Sequence, residues 1–178
     1  MKKYFLFLTF LFYCGIIYGQ QTTSVEQYDS QINLGGGIGI DYGGLGVKLN
    51  CLPEKYLVLF VGVGYNLVNA GYNAGISYRF MPSKKTCLYY TLMYGYNAVF
   101  KVENYSAFDR VFYGPSTGLG IEIHSKNNRP NFINIELLVP IRLQEYHNYL
   151  HDLKNSPFIK IKSEPWPVSL SLGMHFKL

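Results

Sequence analysis

From Ile32 onward, apolar and polar residues alternate along the chain. In Ile32-Asn33-Leu34-Gly35-Gly36-Gly37-Ile38-Gly39-Ile40 the even positions are mostly apolar and the odd ones are Asn or Gly. In Leu45-Gly46-Val47-Lys48-Leu49-Asn50 the odd positions are apolar. Leu57, Leu59, Val61, Val63 and Tyr65 then oppose Gly62, Gly64 and Asn66, and Tyr72, Ala74, Ile76, Tyr78 and Phe80 oppose Asn73, Gly75, Ser77 and Arg79. Leu88 to Asn97, Val111 to His124, Ile133 to Leu143 and Val168 to Leu178 repeat the pattern. Period-two alternation puts one set on each face of a strand, so the sequence predicts eight half-buried strands. Short Gly-, Pro- or Asn-containing turns separate most of them: Asp41 to Gly44, Leu52 to Lys55, Asn66 to Gly71, Met81 to Lys85 and Ser125 to Pro130. Two links are longer, Lys101 to Arg110 and Gln144 to Pro167.

These features predict an all-β, eight-stranded, antiparallel, up-and-down transmembrane β-barrel. Each segment is near the about 9 to 11 residues that a tilted membrane strand needs, and the strand number is even, as in bacterial single-chain barrels. With the N-terminus in the periplasm, the short turns after strands two, four and six face the periplasm. The long links face outward. Only the first outer loop, Asp41 to Gly44, is unusually short. Val168 to Leu178 alternates to the last residue, as a closing stave must, because an open edge in lipid leaves backbone groups unsatisfied. The rival is a soluble barrel of lipocalin type with its apolar face inside. Against it, the non-apolar face is crowded with Gly, which suits a narrow packed lumen, and Tyr and Phe lie near strand ends, as in an aromatic girdle.

Residues 1–19 are expected to be a cleavable signal peptide: Lys2 and Lys3 form a positive start, and Tyr4 to Ile17 is an apolar run too short to span a bilayer comfortably. Residues 20–31 read as a short periplasmic lead and 32–178 as the barrel. No later segment has about 20 consecutive apolar residues, which excludes a transmembrane helix. Losing Lys2 and Lys3 lowers the formal charge from +5 to about +3, too weak to imply nucleic acid. The 17 Tyr and 18 Gly suit a barrel with Tyr at the interfaces and Gly in the lumen.

The last strand also carries Ser171, Gly173, Phe176 and Leu178 at the spacing polar–Gly–aromatic–hydrophobic. It resembles the C-terminal insertion signal of bacterial outer-membrane barrels, with Leu178 where the usual aromatic stands. The chain from residue 20 onward resembles the small outer-membrane barrels typified by the OmpA transmembrane domain and OmpX. The resemblance implies an outer-membrane location and contact with membrane lipid and lipopolysaccharide. It also implies insertion by the barrel-assembly machinery, an outer-membrane protein partner as a further candidate, and a structural or surface-interaction role without a cofactor.

On the polar face, Lys48, Arg79, Glu122, His124, Glu136, His175 and Lys177 are expected to point into the lumen, with Arg142 and Asp41 nearer the outside. Charges of both signs in an eight-stranded lumen must pair, because an unpaired buried charge costs several kcal/mol. The expectation is a salt-bridged plug; a polar conduit through His124 and His175 is the functional alternative. No two His have ligand spacing within one strand, so no metal is expected. A lipid-modifying enzyme is the catalytic alternative, but His124 and Ser125 are adjacent where the lipid A deacylase pattern wants His and Ser two apart, and no nucleophile motif surrounds His147, His151, Asp152, Ser156 or Ser163. No catalytic residue is assigned. Candidate outer contacts are Tyr146, Tyr149, Lys154, Phe158, Lys160, Lys162 and Trp166 in the longest link. Phe158 to Lys162 alternates and would extend a strand. Cys51 and Cys87 lie on non-neighbouring strands, which disfavours a disulfide.

Overall fold

The structure is a computed structural model, and it describes residues 31–100, 109–125, 131–155 and 166–178. The expected signal peptide and residues 20–30 of the expected lead lie outside the described residues, as does the expected strand extension from Phe158 to Lys162, while Gln31, expected to end the lead, already belongs to the first strand. Eight strands follow in chain order: β1 (Gln31–Gly39), β2 (Gly44–Leu52), β3 (Leu57–Tyr65), β4 (Ala70–Arg79), β5 (Thr86–Phe100), β6 (Arg110–His124), β7 (Phe132–Pro140) and β8 (Ser169–Lys177). Each pairs antiparallel with its sequence neighbours, and β8 pairs with β1, which closes the barrel.

Side-chain alternation decides the faces. Asn33, Lys48, Asn50, Asn73, Ser77, Arg79, Thr91, Asn134, Glu136, Ser171 and His175 are buried inside the barrel, while Ile38, Leu45, Val63, Leu119, Leu137 and Leu170 are each more than half exposed on its outer wall. The polarity is therefore inverted relative to a water-soluble barrel. The inner face is not wholly polar: Phe60, Met93, Tyr96 and Leu138 meet Ile40 in an apolar layer within the lumen.

β5 is longer than the expected Leu88 to Asn97, while β6 starts one residue before the expected Val111; each has 15 residues against nine or ten for the others. Their register shifts between Tyr96 and Ala98, leaving Asn97 as the extra residue of a bulge. The bulge swaps faces, so Ala98 and Phe100 share a side with Phe112 on the lumen-side face of the extended hairpin. The side chain of Asn97 occupies the irregularity, its Nδ2 donating to the carbonyls of Pro115 (3.0 Å) and Ile141 (3.3 Å).

Two expected loops are ordered elements. Asp41 to Gly44, expected as an outward turn, overlaps a 3-10 turn at Ile40–Tyr42 that folds back into the lumen, with Asp41 and Tyr42 fully buried. Gln144 to Asn155, expected as an ordinary loop, is a helix, α1. Tyr146, Tyr149, Leu150 and Leu153 recur at i, i+3, i+4 and i+7, so one stripe of α1 is apolar. That stripe packs on Ala98, Phe100 and Phe112.

Candidate functional site

The lumen is built around the inturned 3-10 turn. Gly43, which follows it, has φ of 72°, a left-handed conformation that Gly adopts without steric cost. The turn fits because the surrounding walls are bare. A Cβ at Gly62 would strike the carbonyl of Asp41, at Gly46 or Gly64 the carbonyl of Tyr42, and at Gly173 the Tyr42 hydroxyl. The glycines that the sequence places on the polar face are thus the slot that admits this turn. Asn73 donates to the Ile40 carbonyl and helps hold it.

Two side chains of the turn then enter separate polar clusters. Asp41 accepts from Lys48 at 2.5 Å and from the Ser171 hydroxyl. The Lys48 ammonium also lies over the Tyr42 ring, 4.6 Å from its centroid. Both charges of this pair are almost fully buried, so each satisfies the other where water cannot.

The Tyr42 hydroxyl sits 2.7 Å from Asn134 Oδ1 and 2.7 Å from His175 Nε2. A phenol has one proton, and Oδ1 can only accept, so Tyr42 donates to Asn134 and His175 Nε2–H donates to Tyr42. Asn50 Nδ2 donates to His175 Nδ1 at 3.2 Å, consistent with the same neutral tautomer. Asn134 Nδ2 donates to the Tyr89 hydroxyl at 3.4 Å, and Tyr89 donates to Glu136 Oε2 at 3.1 Å. The result is one directed chain, Asn50 to His175 to Tyr42 to Asn134 to Tyr89 to Glu136. It crosses the lumen through β2, β8, the inturned turn, β7 and β5. Bonds aligned head to tail polarise one another, so such a chain is stiffer than its separate links. Phe132 stacks on the His175 ring with centroids 4.6 Å apart and planes at 6°.

A third cluster lies toward the short-turn end. Arg79 and Glu122 pair at 2.8 Å, and His124 Nε2 lies 3.1 Å from the same carboxylate.

The lumen thus gathers Lys48, Arg79, Glu122, His124, Glu136 and His175. Lys48 and Arg79 are ion-paired with Asp41 and Glu122, and His124 is the least enclosed. Glu136 and His175 belong to the hydrogen-bonded chain, without an ion-pair partner among the described residues. Two expected members do not belong. Arg142 lies beyond β7, which stops at Pro140; its guanidinium covers the Tyr146 ring at 4.7 Å and donates to the Trp166 carbonyl. Lys177 is exposed, because its pairing with Asn33 is the last of the β1–β8 ladder and its long stem ends at the rim. Sequence reading missed Tyr42, Tyr89, Asn50 and Asn134. The last three were legible from strand parity alone. Tyr42 was not, since it lies between strands.

Of the expected insertion-signal residues, Ser171 and Gly173 face inward, one bonded to Asp41 and the other against Tyr42, while Phe176 and Leu178 are exposed. Cys51 and Cys87 are free thiols. Among the described residues no group of three or more His, Cys, Asp or Glu is arranged to hold a metal.

At the opposite end, Tyr146 is buried against Phe100 and Phe112 rather than presented outward, which corrects its expected role as a contact. Tyr149 packs beside it, and burial raises the pKa of its hydroxyl against the opposing pull of Arg110. Arg110 in turn pairs with Glu145 at 2.5 Å. Lys154 is exposed, and Trp166 is 81% exposed. Phe158, Lys160 and Lys162 lie outside the described residues. No protein-family model matches this sequence, and no curated protein matches it.

Proposed function

We propose that the protein is a small bacterial outer-membrane β-barrel, similar in kind to the OmpA transmembrane domain and OmpX, with a structural or surface-interaction role and no catalytic activity. The observation that carries this reading is the inverted polarity of the wall. Ile38, Leu45, Val61, Val63, Leu119, Leu137 and Leu170 form part of a continuous apolar exterior, far larger than the few hundred Å² a soluble monomer tolerates. In hydrocarbon the same surface is favourable, and a closed ladder leaves no edge unsatisfied. Exposed aromatics support the reading. Tyr65, Tyr72 and Tyr94 lie toward one end of the strands, and Tyr56, Tyr78, Phe80 and Phe176 toward the other, the disposition of two interfacial girdles.

The lumen favours a plug over a pore. The inturned turn, the apolar layer around Ile40 and the paired charges occupy it, leaving no role for solute passage. Contacts with lipopolysaccharide or an outer-membrane partner then fall to the α1 end, where Lys154 and Trp166 are exposed.

Membrane fractionation followed by gel electrophoresis with and without boiling tests the proposal. The expected outcome is outer-membrane recovery and a band whose mobility changes on boiling. Recovery in the soluble periplasmic fraction would overturn it.

A further inference from the structure

The expectation of no metal rests on spacing within strands, and α1 adds a geometry that strands lack. His147 and His151 are four residues apart within Gln144–Asn155. One helical turn puts their Cβ atoms on the same face, about 5–6 Å apart. Both side chains are exposed. The apolar stripe fixes the helix beneath them, because Tyr146 and Leu153 are buried against Phe100 and Phe112. The two imidazoles therefore stand on an anchored backbone, which lowers the ordering cost of holding one ion between them.

Their neighbours favour ligation. The His147 ring packs across the Tyr146 ring, with centroids 5.4 Å apart and planes at 88°, so a buried residue steadies it. Asn155 Nδ2 lies 3.2 Å from both ring nitrogens of His151. An amide N–H only donates, so one of those nitrogens presents a lone pair. Asn155 is exposed at the last position of α1 and turns aside at little cost. Asp152 Oδ1 lies 3.9 Å from His151 Nδ1, where a carboxylate orients a metal-bound ring and adds negative charge beside the cation. Two imidazoles select borderline cations such as Cu²⁺, Ni²⁺ and Zn²⁺, whereas Ca²⁺ and Mg²⁺ require sets of oxygen ligands.

We propose that His147 and His151 form a two-histidine chelate for a borderline divalent transition metal on the polar side of α1, with Asp152 positioning the His151 ring. Water fills the remaining coordination positions, so the metal is surface-bound and exchangeable. The site belongs to the helix and is independent of the function proposed for the outer wall.

The test is calorimetric titration of the full-length chain, without an affinity tag and folded in micelles of an uncharged detergent, with the chlorides of the metals. Band mobility before and after boiling, read on each sample, separates a failed barrel from a failed site. Cu²⁺ is expected to bind saturably and more tightly than Ni²⁺ or Zn²⁺, while Ca²⁺ and Mg²⁺ give no saturable heat. His147→Gln and His151→Gln should each weaken Cu²⁺ binding by about tenfold or more, because a chelate becomes a single ligand. Asp152→Asn should weaken it by up to about tenfold. The double variant Glu145→His/His147→Asn keeps two imidazoles on α1 but sets them six residues apart on different faces, and should bind no better than the single variants. Cu²⁺ is paramagnetic, so at low occupancy it should broaden the ring resonances of His147 and His151 before those of His124 and His175. The proposal is overturned by the absence of saturable binding of all three transition metals, by equal Cu²⁺ affinity in the wild type and either His→Gln variant, or by full affinity in the double variant.

Discussion

Tyr42 shows how much one side chain can organise. Its hydroxyl accepts a hydrogen bond from His175 Nε2–H and donates one to Asn134 Oδ1, so Tyr42→Phe leaves a buried donor and a buried acceptor unmet. The expected cost is about 1–3 kcal/mol, read as a lower urea midpoint for the barrel in lipid vesicles. Gly173→Ala should cost a similar amount by overpacking, because the new Cβ falls on the same hydroxyl. The two positions differ from Gly62 in a testable way. In a Tyr42→Ala background the penalty of Gly173→Ala should largely vanish. That of Gly62→Ala should persist, since it strikes the Asp41 backbone carbonyl, which a side-chain truncation does not remove. Lys48→Met strands the buried Asp41 carboxylate and should cost about 3–5 kcal/mol, most of it recovered in the double variant Asp41→Asn/Lys48→Met. Equal midpoints for single and double variants would refute the pairing as drawn.

At the scale of elements, α1 and the β5–β6 extension form one unit. The exposed Arg110–Glu145 pair contributes little, at most about 1 kcal/mol, whereas Tyr146 and Leu153 are buried against Phe100 and Phe112. The packing, not the ion pair, therefore holds the helix. Arg110→Ala should leave α1 protected from protease, while Tyr146→Ala with Leu153→Ala should expose cleavage sites within Gln144–Asn155 without altering the barrel's shift on boiling. Cleavage of both variants alike would place the stabilisation elsewhere.

The whole molecule is decided by which solvent meets each face. Leu137 is 52% exposed near the middle of β7. In a bilayer, Leu137→Arg should destabilise the barrel by about 2–4 kcal/mol. On a water-facing wall the same change would stay within about 0.5 kcal/mol. The urea midpoint of this one variant, in vesicles, separates the two environments.

Eight strands, their turns and the face of nearly every strand residue were legible in the sequence, because side-chain direction in a strand is a local property with a period of two. Lys48, Arg79, Glu122, Glu136 and His175 were placed inward on that basis alone. Helix α1 was also written locally, in the spacing of Tyr146, Tyr149, Leu150 and Leu153, and was missed because polar residues and length suggested a loop. The inward fold of Ile40–Tyr42 is of another kind. Its own residues do not choose between water and lumen. The choice is made by glycines on β2, β3 and β8 and by acceptors on β7, which become its neighbours only when the barrel closes. Lys48 meets Asp41 within one hairpin and His124 meets Glu122 along one strand. The long-range partners follow from the same closure, since register and shear, rather than any local pattern, bring Asp41 to Ser171 and Arg79 to Glu122.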